Sequence, residues 1–394
     1  MKSSILTFFL SLILGITLAH GATRVVTDAN AQTEISAAAN GDIIRFMPGT
    51  YPKLSVVDKD LVFKHHGSVK ANVFEIEANG SKLDLIDFSA AKVFANKSQN
   101  RTSRLRVVRG NYGRITSDAD NTILAYSTLN YLKITDSGKI TGNEFDGNTQ
   151  FFSQVPVGGA IGIDVNATSA NVMINNNLIN KYELFNDTGT IFNECIGIRI
   201  AGNPSVDIVN NVITRCREID GANSGSEYNS GIGIFVVNSL KVRILGNVIG
   251  LCYIKSGIPN GAVGSSVLVA PLGVVAQNNL FFRADSSTTS STVTLGGVRP
   301  VGTIFNQSYS GFTDFANGYF TLASDSPAID AGPSDPQYND RDGSRNDIGM
   351  FGGHNFIPDG RTTNKPIVLG LDIAPIAVPV GGTVTIESTG ATVK

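Results

Sequence analysis

The side chains best suited to chemistry follow a short repeat of alternating apolar residues. The repeat occurs three times, as Ile161-Gly-Ile-Asp-Val165, Cys195-Ile-Gly-Ile-Arg-Ile200 and Gly231-Ile-Gly-Ile-Phe-Val236. Successive side chains of a β-strand point to opposite faces, so the isoleucines are predicted to point inward. The predicted outward positions are a column of glycines, Gly162, Gly197 and Gly233, next to a column of Asp164, Arg199 and Phe235.

The glycine column is the predicted binding position. Glycines weaken strands and have no side chain to pack, so their repetition predicts a close approach to the backbone by something else. Two occupants stay open: a ligand in a groove, or a neighbouring loop lying across the sheet. In the first case the glycines, Asp164 and Phe235 would contact the substrate.

A second candidate group follows shortly after, in Arg217-Glu-Ile-Asp220. Arg199 and Arg217 are candidate catalytic residues, because removing a proton beside a carboxylate needs a cationic base and a cation that neutralises the carboxylate. Glu218 and Asp220 offer carboxylates for a metal, for which Ca²⁺ is the candidate. The alternative is structural, because Glu183 holds the position equivalent to Arg217 one repeat earlier, and an exposed salt bridge there would contribute roughly 0–1 kcal/mol.

A longer repeat must position these residues. Five segments each carry an asparagine between apolar flanks, and the matched asparagines are 34, 34, 36 and 32 residues apart: Asn143, Asn177, Asn211, Asn247 and Asn279. Asn111 extends the series upstream. Short β-branched flanks at this period predict a coil of short strands wound into a parallel β-helix.

The asparagines are predicted to be structural. Equivalent residues of successive coils stack about 4.8 Å apart, so each side-chain amide can donate to one neighbouring coil and accept from the other. Asparagine also tolerates the left-handed backbone of a sharp corner. Upstream of residue 135 the repeats are shorter, whereas later coils carry insertions at one position, typical of a working face.

Composition and the N-terminus predict an exported protein. Residues 1–22 combine a basic start, an apolar core and small residues, which is typical of a signal peptide. No later segment predicts a membrane span. The net charge of −2 gives no basic footprint for nucleic acid. We expect a monomer.

The cysteines and histidines add no predicted site. Cys216 and Cys252 each follow a ladder asparagine by five residues, so they are predicted to stack as small apolar side chains or to form a disulfide. Cys195 has no nearby histidine to activate it. His65 and His66 point to opposite faces and are predicted to lie on the surface.

Two terminal motifs carry a resemblance to a known family. Asn40-Gly-Asp-Ile-Ile-Arg-Phe-Met-Pro-Gly-Thr-Tyr51 resembles the first coil of the right-handed parallel β-helix, or pectin-lyase-like, superfamily. The segments 317–332 and Asp340-Arg-Asp-Gly-Ser-Arg-Asn-Asp-Ile-Gly349 resemble the last coil of secreted bacterial members. The resemblance implies a right-handed all-β solenoid over 23–353. A helix over Thr33–Ala39 is predicted to cap it, and residues 354–394 are predicted to be a linker and a short β segment that packs on the stack.

The resemblance also implies a polysaccharide partner. Cleaving members of this superfamily bind their chains along an exposed sheet walled by loops. Hydrolases of the family need clustered aspartates, whereas Asp164 stands almost alone, so elimination at a uronate polymer is the favoured chemistry. The family's lyase and epimerase motifs are missing, which leaves a non-catalytic surface or adhesive scaffold as the rival hypothesis.

Overall fold

A computed structural model supplies the structure of the protein. It describes residues 21–147, 160–186, 194–220, 229–252, 254–255, 267–271, 274–282, 293–295, 301–306, 311–315, 318–358, 360–362, 365–374 and 385–391. The predicted signal peptide lies almost entirely outside these residues. Within them, no helix is both long enough and apolar enough to cross a membrane.

Most described residues wind around one axis in three parallel sheets, here named A, B and C. Sheet A contains eleven strands: Thr23–Val26, Ile43–Phe46, Asp60–His65, Lys82–Ile86, Arg104–Val108, Asn121–Ala125, Gly138–Thr141, Asn171–Asn175, Ser205–Val209, Val242–Leu245 and Val275–Gln277. Each pairs in parallel with the strand one coil later, as Ile140 with Ile174 and Ile174 with Ile208. This stacking confirms the predicted parallel β-helix.

Sheets B and C complete each coil. Sheet B comprises Thr50–Tyr51, Glu144–Asp146, Leu178–Asn180, Val212–Thr214, Val248–Gly250, Leu280–Phe282 and Ile304–Asn306. Sheet C comprises Leu54–Val57, Ala160–Ala167, Glu194–Gly202, Asn229–Val236, Val267–Val269 and Val293–Leu295. Four longer strands of the early coils run through both sheets: Asn72–Asn79, Ala90–Asn96, Asn111–Ser117 and Thr128–Ile134.

The sequence insertions lie between sheets B and C. The continuous strand Thr128–Ile134 pairs first with Glu144–Asp146 and then with Ala160–Ala167 of the next coil. Residues 147–159 are therefore inserted between the sheet B strand and the sheet C strand of that coil. Most of the inserted residues lie outside the described part of the chain. Described pieces of two of them, Glu183–Asn186 and Arg217–Asp220, pair as a parallel two-stranded sheet.

Apolar side chains fill the inside of the coil. Inward residues from all three sheets, such as Ile174, Ile179 and Ile198, are fully buried and belong to one continuous core. Stacking lengthens this core along the axis, so a long chain folds around it without a wide interior.

One α-helix, Ala31–Ala37, lies near the N-terminal end of the described chain. It begins and ends two residues before the predicted segment Thr33–Ala39. Ala31 and Ile35 are buried in the main core beside the first strands. Its role as a cap for the end of the stack stays a prediction.

The asparagine ladder joins successive coils through side-chain amides. Asn177 N donates to Asn211 Oδ1 at 3.0 Å, and Asn177 Nδ2 donates to the same oxygen at 3.0 Å and to Ile140 O at 2.9 Å. Asn211 makes the equivalent bonds to Asn247. The five ladder asparagines are completely buried, so these bonds satisfy backbone groups that water cannot reach.

The left-handed corner residue is not the ladder asparagine, as the sequence suggested, but the residue before it. Asn176, Asn210 and Asn278 have φ between 51° and 56°. Asn111 is also not a ladder member, because it is exposed and starts a strand. Ser127 takes the ladder position one coil before Asn143 and donates its backbone N–H to Asn143 Oδ1 at 2.9 Å.

Cysteine and histidine positions follow from the same stacking. Cys195, Cys216 and Cys252 are buried and free of disulfides. Cys216 and Cys252 pack in the main core, as predicted for an apolar stack. His65 is buried rather than on the surface, because its ring stacks on Phe88 at 4.7 Å between centroids.

The chain after the last coil packs back on the outside of the stack. It contains the hairpins Phe312–Asp314 with Tyr319–Leu322 and Ile367–Ala374 with Thr385–Ala391, and a short 3₁₀ helix, Pro336–Tyr338. Ile348 packs against Val212 and Val248 of sheet B in a second apolar cluster. Ile367 packs against Ile123 and Tyr126.

Candidate functional site

The glycines of the short repeat face the interior of the coil, not solvent. A Cβ on Gly162 would lie 3.1 Å from both Ile179 Cγ2 and Tyr182 Cζ, and both side chains are core residues. A Cβ on Gly197 would lie 2.5 Å from Ile213 Cγ2. The close approach therefore comes from core side chains of the next coil, which corrects the predicted outward orientation.

The strands change their alternation at these glycines. Ile161, Ile196 and Ile232 stack outside the main core and form a small cluster with Phe235, whereas Ile163 is in the core. The predicted inward position of Ile161 is therefore wrong. The predicted substrate-binding role of Gly162 and Gly197 required a backbone that a ligand can reach, and glycines that face the core do not provide one. Gly233 lies at the matching position of the next coil.

The column beside the glycines does point outward, as predicted. Asp164 pairs with Arg199, and Arg199 pairs with Phe235, on successive strands of sheet C. Lys133 continues the column one coil earlier, opposite Asp164. The neighbours of each of these residues along the strand lie in the core. The structure thus brings together two of the predicted substrate-binding residues and one predicted catalytic residue.

Asp164 is the most unusual group in this column. Its side chain is 7 % exposed, and its Oδ1 accepts no hydrogen bond. Arg199 Nη1 lies 3.9 Å from that oxygen. Burial raises the pKa of the Asp164 carboxyl, and the charges of Arg199 and Lys133 oppose that rise without cancelling it. A buried carboxyl with a perturbed pKa beside cations is a candidate functional group.

Tyr131 and Arg114 extend the site toward the N-terminal coils. They pair on adjacent strands, with Arg114 Cζ 4.7 Å from the centroid of the Tyr131 ring. Burial raises the pKa of the Tyr131 hydroxyl, and the charge of Asp164 raises it further. We name the group formed by Arg114, Tyr131, Lys133, Asp164, Arg199 and Phe235 the sheet C patch.

Cations and aromatic rings continue along sheet C below the patch. Lys92 pairs with Arg114 one coil earlier, and its Nζ lies 5.0 Å from the centroid of the Phe74 ring, which is 53 % exposed. From the strand of Lys92 to that of Phe235 the sheet spans five strand spacings, roughly 24 Å. The surface is long enough for a chain molecule rather than a single small ligand.

The remaining predicted residues belong to the strand Arg217–Asp220. Its backbone lies beside Glu183–Asn186, with Glu183 opposite Arg217. The side chains of Arg217, Glu218 and Asp220 lie outside the described structure, so their predicted catalytic and metal-binding roles stay predictions.

The sheet C patch does not suit Ca²⁺. It contains one carboxylate, Asp164, among three cations, whereas Ca²⁺ takes six to eight oxygen ligands. Elsewhere in the described part of the chain, no group of three or more His, Cys, Asp or Glu side chains could hold a metal ion. Asp340 of the C-terminal motif accepts backbone N–H bonds from Asp347 and Gly353, which is a loop-stabilising role.

Three residues of the patch were not predicted from the sequence: Arg114, Tyr131 and Lys133. They lie on strands that lack the Ile-Gly-Ile repeat, in coils of different length, so no common spacing connects them with Asp164. Alternation within Thr128–Ile134, which places Leu132 and Ile134 inside, was the available signal for Tyr131 and Lys133.

Comparison with known proteins gives a likeness to solved structures. No protein-family model matches the chain, and no curated protein sequence matches it. Among solved structures, the pectate lyase Pel9A is similar over 84 % of this chain and 96 % of its own, with 14 % sequence identity and a TM-score of 0.43. At that score the likeness carries no argument about activity, and the fold stands on the strand pairing described above.

Proposed function

We propose that this protein is exported and, as a monomer, binds an acidic polysaccharide along the outer face of sheet C. The observation that carries the proposal is the sheet C patch, in which three cations and two aromatic rings lie on one continuous strip. Arg114 and Arg199 would pair with uronate carboxylates, and Tyr131 and Phe235 would supply apolar surface to sugar rings.

Charge and shape both favour this class of ligand. Within the patch the cations outnumber the single carboxylate of Asp164, whereas the whole chain carries a net charge of −2. A local excess of positive charge on a slightly acidic protein favours a polyanion at this position. The strip is straight because the strands stack in register, which suits an extended polymer.

Cleavage by β-elimination is a second proposal, favoured by the buried carboxyl of Asp164. Elimination moves the proton beside the uronate carboxyl to a base, forms a C4–C5 double bond and breaks the C4–O bond. The leaving oxygen keeps the electron pair and takes a proton.

Each step has a candidate group in the patch. Arg199 would neutralise the uronate carboxylate through charge-assisted hydrogen bonds from its guanidinium. The amine of Lys133 is the candidate base. Asp164 would supply the proton to the leaving oxygen, since burial raises its pKa and favours the protonated acid.

Binding is tested by affinity electrophoresis in gels that contain polygalacturonate or alginate. We expect retardation of the wild-type protein and about tenfold weaker binding after Arg199→Ala or Arg114→Ala. Lys70→Ala is the control, because Lys70 is an exposed cation between the sheet A strand Asp60–His65 and the strand Asn72–Asn79, away from the patch. Equal retardation of all four proteins would contradict the proposed site.

Cleavage is tested by the absorbance of unsaturated products from the same polymers, with and without Ca²⁺. Loss of product after Lys133→Ala and after Asp164→Asn, with polymer binding retained in both variants, would support the assigned roles. Binding without product on any polymer would leave a carbohydrate-binding protein and reject the lyase. Neither binding nor product would favour the non-catalytic scaffold.

A further inference from the structure

The outer face of sheet A carries a cleft that the sequence did not indicate. It has a volume of about 970 Å³, and it lies between sheet A and the segment that follows the last coil. We infer that this cleft is a second carbohydrate site, which binds a short uncharged oligosaccharide. The site is separate from the sheet C patch, and the inference does not depend on the function proposed there.

The C-terminal segment holds the second wall of the cleft in place. Asn176 Nδ2 donates to Gly352 O at 2.7 Å, and Asn210 Nδ2 donates to Asp347 O at 2.7 Å. Asn346 is fully buried, and its Nδ2 donates back to Asn210 Oδ1 at 3.0 Å. These bonds fix the wall to the corner between sheets A and B, so the cleft is formed before any ligand arrives.

The floor of the cleft is a column of sheet A that is electrically balanced. Lys139, Met173, Asp207 and Arg243 stack in register on four successive strands. Arg243 Nε donates to Asp207 Oδ1 at 2.6 Å, which neutralises both charges. With Asp120 opposite in sign to Lys139, the formal charges of the lining cancel. A phosphorylated or uronate ligand would find no excess of cations.

Amide and hydroxyl groups supply the polar contacts. Asn121, Asn171, Ser205 and Asn355 line the cleft. Asn171 and Ser205 are adjacent and exposed on the floor. Amides offer a donor and an acceptor side by side, which matches the neighbouring hydroxyls of a sugar.

Tyr338 and Met173 supply the apolar surface that a sugar ring needs. Met173 is 36 % exposed in the middle of the floor. Tyr338 lies on the wall, where burial raises the pKa of its hydroxyl. The charge of Arg243 lowers that pKa and the charge of Asp207 raises it, so the phenol lies near this ion pair. The floor covers three strand spacings, roughly 14 Å, which suits an oligosaccharide rather than a monosaccharide.

The test is isothermal titration calorimetry of the full chain with cellopentaose, xylopentaose and mannopentaose, and with trigalacturonate as the charged comparison. We expect at least one neutral pentasaccharide to bind. Tyr338→Ala and Asn171→Ala should each weaken that binding about tenfold, and Tyr338→Phe should weaken it less, because the ring is kept. Asn171 is exposed, so its replacement leaves the fold intact.

Arg199→Ala and the exposed Asn166→Ala, both on sheet C, serve as controls and should bind the neutral ligand like the wild-type protein. Binding that is lost in Arg199→Ala but kept in the two cleft variants would place the ligand on sheet C and overturn the inference. Binding of trigalacturonate alone, or of no sugar in the panel, would also overturn it. If the protein binds no acidic polymer at sheet C, the outcomes expected for the neutral pentasaccharides stay the same, because the cleft on sheet A is a separate site.

Discussion

Asp164 and Arg199 occupy the same position on adjacent coils, yet they do not form a close ion pair. Arg199 Nη1 stays 3.9 Å from Asp164 Oδ1, and that oxygen is buried without a hydrogen bond. Leaving a buried polar atom unpaired costs free energy, on the order of 1–3 kcal/mol. A protein keeps such a cost at a site where the group has another use, such as contact with a ligand.

We therefore predict that Asp164→Asn stabilises the fold and impairs polymer cleavage at the sheet C patch. The folded protein raises the pKa of Asp164, so the carboxyl contributes its full stability below the unfolded pKa and loses it as the pH rises through the folded pKa. Above that window the charged form is the destabilising one, and the amide removes it.

The measurement is the melting temperature of both proteins from pH 3 to pH 8, with about equal values expected at the acid end. The variant should melt at a higher temperature near neutral pH. We expect its free energy of unfolding to be higher by on the order of 1 kcal/mol. Asp325→Asn, at an exposed aspartate, is the control and should melt like the wild-type protein. A variant that melts lower than the wild type near pH 7 would show that Asp164 is stabilising as an ion.

The asparagine ladder gives a prediction on stability. Asn211→Ala removes the donor to Ile174 O, at 2.9 Å, and the acceptor for Asn177 N, at 3.0 Å, in a site that water cannot enter. We expect a loss of about 3 kcal/mol in the free energy of unfolding, from the orphaned backbone groups.

Chemical denaturation in urea measures that loss. Asn166→Ala is the matched control, since Asn166 is exposed on a strand of the same stack, and it should change stability by less than about 0.5 kcal/mol. Equal effects of the two substitutions would mean that the ladder has no special energetic role.

The sequence revealed the architecture because one residue type repeats at a fixed place in every long coil. The ladder positions of Asn177 and Asn211 are therefore visible as a period, and stacking follows from it. Asn111 was assigned wrongly because the early coils are shorter, so the position is taken by Ser127 there and the period breaks. The sequence also predicted the left-handed backbone one residue too late. Asparagine occupies both neighbouring positions, 176 and 177 in one coil and 210 and 211 in the next, so residue type does not distinguish them.

The site was harder to predict than the fold. Strict alternation gave the correct outward positions of Asp164, Arg199 and Phe235. It failed at Gly162, where the strand changes face and the glycine packs against Ile179 and Tyr182 of the next coil. Lys133 and Tyr131 come together with Asp164 through coil stacking alone. The cleft on sheet A depends on how the last segment folds back, which no local pattern encodes.

The inward glycines lead to a prediction that separates packing from binding. Gly197→Ala would place a Cβ 2.5 Å from Ile213 Cγ2 and 2.7 Å from Gly233 O, so the coil must shift to accept it. We expect a destabilisation of about 1–3 kcal/mol.

Gly49→Ala is the control, because its nearest new contact would be 3.6 Å from the Tyr51 ring, an ordinary distance. Both free energies of unfolding come from urea denaturation. If Gly197→Ala were as stable as the wild type and lost polymer binding alone, the glycine column would belong to the ligand site after all.

The buried cysteines give the last prediction. Cys216 and Cys252 lie in the apolar core without a disulfide, and Cys252 Sγ approaches Gly250 O at 3.3 Å. The melting temperature should therefore be the same with and without a reducing agent. A thiol reagent such as Ellman's reagent should label none of the three cysteines in the folded protein and all of them in guanidinium chloride. Rapid labelling of one thiol together with a reductant-sensitive melting temperature would instead indicate a disulfide between the other two, as the sequence alone allowed for Cys216 and Cys252.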